Sequence, residues 1–164
     1  MNEWSRGDPA KAPPRAPLAI GGPLDATTLL QAYRAGIFPW YSEGEPVRWW
    51  SPDPRFVLLP EELRVTESLR RSMRKPGWSI SFDRDFEAVM RACAEVPRPG
   101  QDGTWITPEM RAAYCDLHGS GRAHSVEVRR AGQLIGGLYG VLMGTMFFGE
   151  SMFSTATDAT PKLM

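Results

Sequence analysis

The sequence predicts a mixed α/β fold of the α+β kind, with helices packed on a mostly antiparallel sheet. Three observations predict it. Strand-like stretches follow one another near 123–129, 133–143 and 145–153, joined by turns at Ala131-Gly132 and Gly144. Connections this short make neighbouring strands antiparallel. Two helical patterns precede them: Phe86, Val89, Met90 and Cys93 share one apolar stripe, and Met110, Ala113, Tyr114 and Leu117 share another. Between residues 37 and 55, Phe38, Trp40, Tyr41, Trp49 and Trp50 are interleaved with Pro39, Pro46, Pro52 and Pro54. Prolines at that density forbid a long helix or a central strand.

The elements follow in chain order. Residues 1–17, rich in Pro and Ala, read as a loose tail. Residues 18–60 read as a small aromatic-rich N-terminal subdomain, and 61–164 as the main domain. Asp25 caps a short helix carrying Leu29, Leu30 and Tyr33, stopped by Gly36. Arg55–Leu59 reads as a short strand. Thr66 caps a helix through Lys75, ended by Pro76 and Gly77. Trp78, Ile80 and Phe82 alternate with serines, the pattern of a half-buried strand. Asp83 opens the helix of the Phe86 stripe, and residues 96–104 form a Pro/Gly loop. Thr107 and Pro108 start the next helix, and Gly119 and Gly121 close it.

Composition excludes several function classes. Formal net charge is zero, so no global field draws the chain to nucleic acid, and RNA binding has to come from a local patch. Cys93 and Cys115 give no disulfide framework and fall on helix faces read as buried. No apolar run reaches the length of a membrane span, and no signal-peptide pattern opens the chain. The default compartment is cytoplasmic. There is no Walker loop and no Cys/His cluster with metal spacing. His118 reads as a surface or capping residue at a helix end, and neither it nor His124 belongs to a nucleophile motif. Glu150 lies in the apolar run Met146–Phe153. A carboxylate there is costly to bury unless it is hydrogen-bonded, and spacing alone equally allows a solvent-pointing side chain. Gly136-Gly137 suggests a close backbone approach, by a ligand or by a packed neighbour.

Longer motifs carry a resemblance. Leu18-Ala19-Ile20-Gly21-Gly22, Gly36-Ile37-Phe38-Pro39-Trp40 and Trp49-Trp50-Ser51-Pro52-Asp53-Pro54-Arg55 stand in that order. Gly103-Thr104-Trp105-Ile106-Thr107, Ala123-His124-Ser125-Val126-Glu127-Val128, Gly136-Gly137-Leu138-Tyr139-Gly140 and Phe148-Gly149-Glu150-Ser151-Met152-Phe153-Ser154 follow. Together they resemble the leucyl/phenylalanyl-tRNA–protein transferase family. The resemblance implies an acetyltransferase-like (GNAT-superfamily) core. It also implies transfer of Leu, Phe or Met from aminoacyl-tRNA to proteins with an N-terminal Arg or Lys, which marks them for N-degron degradation.

The family's site residues carry over position by position. Trp40 and Trp105 match the residues that grip the 3′-terminal adenosine, a ligand that needs a stacking surface. Leu138 and Phe147 match the lining of an apolar side-chain pocket. Glu150 and Tyr114 match polar positions of the catalytic centre. Arg70, Arg71, Arg74 and Lys75 match a basic cluster for the tRNA acceptor stem, with Glu67 weakening it. An ester donor is already activated, so the resemblance implies no cofactor and no metal.

One departure stands against this match. Family members continue past the position of Ser154 through a further helix and a core strand that carries an Asp and a Gln of the site. Here the sequence reads on to Met164 with Pro161 where that helix is expected. The expectation is a C-terminally truncated member lacking the last helix and strand of the core. The alternative reading is a non-catalytic remnant that binds tRNA ends or peptides. An acetyl-CoA-dependent acetyltransferase is disfavoured, because Ser154-Thr155-Ala156-Thr157 offers no glycine for a pyrophosphate-binding turn.

Overall fold

The structure is a computed structural model that describes residues 8–13, 15–98, 100 and 103–155. The expected tail at 1–17 lies partly, and the terminal stretch 156–164 with Pro161 wholly, outside the described residues. The chain divides into two compact units, one of Met1–Phe56 with Arg98–Ser120 and one of Val57–Pro97 with Gly121–Met164. Residues 98–120 thus group with the N-terminal segment, while the sequence reading assigns them to the main domain 61–164.

The first unit holds β1 (Ala19–Ile20), α1 (Ala26–Arg34), β2 (Phe38–Pro39), β3 (Arg48–Trp50) and α4 (Pro108–Gly119). The three short strands form one antiparallel sheet in the order β1-β3-β2. Asp25 caps α1 as expected, its carboxylate accepting from the Thr28 N–H at 2.7 Å. Gly36 follows at φ 73°, the left-handed geometry that ends a helix without a Cβ clash. Thr107 caps α4 in the same manner, with Pro108 at the first position. The stripe Met110, Ala113, Tyr114 and Leu117 is buried, and α1 packs against α4.

The second unit holds α2 (Glu67–Met73), β4 (Trp78–Phe82), α3 (Phe86–Glu95), β5 (Ala123–Arg130), β6 (Gln133–Met143) and β7 (Met146–Ser154). The four strands form an antiparallel sheet in the order β4-β5-β6-β7, so the predicted α+β class holds. Ala131 (φ 51°) and Gly132 (φ 82°) make the β5–β6 turn, with both residues at positive φ. Helix α3 packs against β5, β6 and β7 through Phe86, Val89, Met90 and Cys93. A Cβ on Gly137 would lie 3.1 Å from Val89 Cγ2 and from Phe153 Cε1. The close approach at that glycine is therefore made by packed neighbours.

Several expectations need correction. Arg55–Leu59 forms no strand: its residues are exposed and make no ladder, and a strand without a partner is not stable. Helix α2 ends at Met73, and Arg74 and Lys75 lie in the turn after it. Helix α3 starts at Phe86 with Asp85 as its cap, while Asp83 takes a left-handed turn at φ 56°. Cys93 is buried, but Cys115 is only half-buried. On β4 the expected burial of the Trp78/Ile80/Phe82 face fails: Ile80 is 51% exposed and Phe82 70%.

That last correction follows from the sheet's two faces. Register places Ile80 opposite Val128, and Phe82 in one row with Val126, Leu138 and Met152. The alternate residues Ser125, Glu127, Tyr139 and Phe153 are buried on the α3 side. The other side is an open, largely apolar face. Alternation fixes which side a residue takes; it does not say whether anything covers that side.

Candidate functional site

The aromatic segment builds a platform in the first unit. Pairing of Phe38 with Trp50 and of Pro39 with Trp49 alternates the tryptophans across the small sheet. Trp49 is fully buried, and its indole N–H donates to the Gly21 carbonyl at 2.9 Å. Trp50 donates its indole N–H to the Trp40 carbonyl at 2.8 Å and sets its ring 5.6 Å from that of Trp40. Trp40 itself is 53% exposed. An indole of this size, backed by a second ring and open to solvent, is a surface on which a flat ring can stack.

Tyr41 joins this platform to the segment that carries Trp105. Its hydroxyl is within 3.4 Å of both Thr107 Oγ1 and Glu109 Oε2 at the start of α4. Burial raises the Tyr41 pKa, the hydrogen bond to Thr107 opposes this, and the Glu109 charge adds to it. Trp105, partly exposed, stands just before that capping threonine. Tyr114 is fully buried on α4, with its hydroxyl bonded to that of Tyr33 and the two rings edge to face.

In the second unit, Leu138 and Phe147 share the open face of the sheet. Gly140 lies on the same face, two residues from Leu138. A Cβ there would strike the Phe148 carbonyl oxygen and lie 2.5 Å from Phe147 Cζ. Only glycine therefore lets the Phe147 ring lie across β6. Phe147 remains 44% exposed, so Leu138 and Phe147 belong to an apolar surface open to solvent. Glu150 sits at a bulge: Tyr139 pairs with Ser151 and Gly140 with Gly149, leaving Glu150 as the extra residue of β7. Bulges re-aim side chains and recur beside active sites. Arg70 and Arg71 on α2, and Arg74 and Lys75 after it, are all exposed.

Two groupings were not legible as sites in the sequence. Glu127 is fully buried and accepts from Ser81 Oγ at 2.5 Å and Ser125 Oγ at 2.6 Å. Its place on the α3 side of β5 is readable from alternation; its hydroxyl partners, one of them from β4, are not. Asp83 and His124, far apart in sequence, pair at 2.8 Å. Among the described residues, no group of three or more His, Cys, Asp or Glu is placed to hold a metal, and no helix is long and apolar enough to cross a membrane.

Comparison with known proteins bears on both units. The leucyl/phenylalanyl-tRNA protein transferase model matches residues 57–163, and the model of that enzyme's N-terminal domain matches 22–53. The chain belongs to the leucyl/phenylalanyl-tRNA–protein transferase family. The relative of that name from Pseudomonas entomophila is 59% identical over 147 residues, which are 90% of this chain and 65% of the relative. The one from Azotobacter vinelandii is 60% identical over the same shares. That of Syntrophus aciditrophicus is 57% identical over 143 residues, 87% of this chain and 60% of its own. The chain thus spans about two thirds or less of the length of these relatives. The family boundary between 53 and 57 falls close to the end of the aromatic segment.

Proposed function

We propose that this chain acts in transferring an apolar amino acid, Leu, Phe or Met, from aminoacyl-tRNA to the N-terminal Arg or Lys of acceptor proteins. The observation that carries the reading is the pair of family matches, which together take in both the Trp40 and the Leu138/Phe147 surfaces. The setting is cytoplasmic, and the product enters N-degron degradation.

Each residue has a role by its chemistry. Trp40 and Trp105 stack the 3′-terminal adenosine, since every base offers a π-face to an exposed indole. Leu138 and Phe147 hold the transferred side chain. Such a surface distinguishes apolar side chains by only about 1–3 kcal/mol per methylene, which suits a donor set of Leu, Phe and Met. Arg70, Arg71, Arg74 and Lys75 meet phosphates of the acceptor stem. Glu150 orients donor groups or holds the cationic acceptor. Tyr114, whose hydroxyl bonds that of Tyr33, has the catalytic-centre role that the family match implies.

The reaction is aminolysis. The acceptor's neutral α-amine attacks the ester carbonyl, a C–N bond forms, and the bond to the ribose oxygen breaks. The amine's proton leaves as the ribose hydroxyl is regained. The ester supplies the driving force, so positioning contributes much of the acceleration. An acetyltransferase-like architecture for the second unit belongs to the same reading, and the antiparallel β4-β5-β6-β7 sheet with α3 on one face supports it.

The test is transfer of labelled leucine from charged tRNA to a peptide beginning with Arg. Label is expected in that peptide and not in one beginning with Asp. Binding of charged tRNA without transfer would favour the non-catalytic reading; absence of both would contradict the assignment.

A further inference from the structure

The open sheet face of the second unit carries a polar pair to which the roles above give no work. Asp83 turns the chain out of β4, and both of its oxygens meet β5. Oδ1 accepts from the Ser125 N–H at 2.8 Å, and Oδ2 lies 2.8 Å from His124 Nδ1. A carboxylate only accepts, so Nδ1 carries the proton, and in that tautomer Nε2 is the acceptor. Among the described residues, Nε2 makes no hydrogen bond, and the side chain is 33% exposed. The Ser125 N–H already ties Asp83 to β5, so the turn has an anchor apart from the imidazole.

The register decides what His124 borders. It stands opposite Gly140, and its neighbour on the same face, Val126, stands opposite Leu138. The Phe147 ring lies over Gly140 from the other side. The imidazole therefore sits on the sheet face that Leu138 and the Phe147 ring share, across from a glycine with no side chain of its own. In an aminoacyl ester, the α-amino nitrogen is bonded to the same carbon as the side chain. A donor whose side chain rests on that surface brings its α-amino group to the surface's edge, and as amine or ammonium it has an N–H to donate.

We propose that His124, oriented by Asp83, is a further donor-binding residue whose Nε2 accepts a hydrogen bond from the α-amino group of the aminoacyl donor. This rests on the function proposed above. It gives the site a means of selecting an α-amino acyl group over a plain acyl group, which an apolar surface alone lacks.

The test uses the full chain and two hydrolysis-resistant probes: 3′-phenylalanylamido-adenosine and its des-amino counterpart, 3-phenylpropionylamido-adenosine. The unmutated chain should bind the amine-bearing probe about three- to tenfold more tightly, the span expected for one hydrogen bond. His124→Ala should bring the two affinities together while keeping the des-amino affinity. His124→Gln, whose amide oxygen is again an acceptor, should restore part of the difference. In the unmutated chain, where folding is not at issue, the His124 ring ¹⁵N signals should shift with the amine-bearing probe and stay put with the other, with His118 as reference. Equal affinities in the unmutated chain, an unchanged ratio in His124→Ala, or an unmoved His124 signal would overturn this inference alone. Failure of both probes to bind the unmutated chain would overturn the proposed function and this inference with it.

Discussion

Trp40 and Trp49 flank the same short loop and meet opposite fates. Trp49 is fully buried, while Trp40 stays half exposed with Trp50 behind it. The cost of leaving an indole in water makes sense if a ring stacks on it. Trp40→Ala or Trp105→Ala should therefore weaken binding of an aminoacyl-adenosine mimic about tenfold or more, since a stacked base is worth roughly 1–3 kcal/mol. Fluorescence titration of folded variants checks this, and unchanged affinity in both would remove the stacking role. Trp40 and Trp105 could be singled out in the sequence only through the motif match, because a tryptophan's sequence context does not reveal its exposure. Tyr41 gives a second test at this scale. Its folded pKa is raised, first by burial, from the ordinary 10.0. The folded state then holds its proton more tightly than the unfolded chain, so the stability tied to Tyr41 is intact below that ordinary value and is lost as pH rises through the folded one. Denaturant melts across the alkaline range should show this decline, and Tyr41→Phe should make it shallower.

At the scale of elements, the strands were the most legible part. Period-2 alternation with turns at Ala131-Gly132 and Gly144 located β5, β6 and β7 to within about a residue. The false strand at Arg55–Leu59 shows the limit of that reasoning: apolar composition marks a candidate, but a ladder partner decides, and sequence does not name partners. The bulge that frees Glu150 and the seating of Phe147 over Gly140 depend on register between β6 and β7, so neither could be read from spacing. The basic cluster is another such case. With α2 ending at Met73, Arg70 and Arg74 do not share a continuous helix, but all four cations are exposed and close in sequence. Arg70→Glu with Arg74→Glu should lower tRNA affinity and flatten its dependence on salt, because fewer counterions are released. Binding of the small adenosine mimic should not change. An unaltered salt slope would leave the cluster as a merely solvated face.

For the molecule as a whole, the second unit's open face dominates. Ile80, Phe82 and Met152 lie exposed on it beside Leu138 and Phe147. Apolar area carries roughly 25 cal/mol per Å² of drive toward burial, and contiguous patches promote association. Sedimentation of the isolated chain should show concentration-dependent self-association, reduced in Ile80→Ser with Phe82→Ser; a monomer at all concentrations would count against this. The fold class was visible in the order of patterns, but this face was not, since alternation is the same whether a layer covers it or not. Part of the face, the Leu138/Phe147 surface, is where the account places the transferred side chain. The most direct measurement is therefore the affinity of the chain for 3′-phenylalanylamido-adenosine against its alanyl analogue. Burying a large apolar side chain is worth roughly 1.5–3 kcal/mol, so the phenylalanyl probe should bind at least about tenfold more tightly, and the gap should shrink in Leu138→Ser. Equal affinity for the two probes would contradict the account.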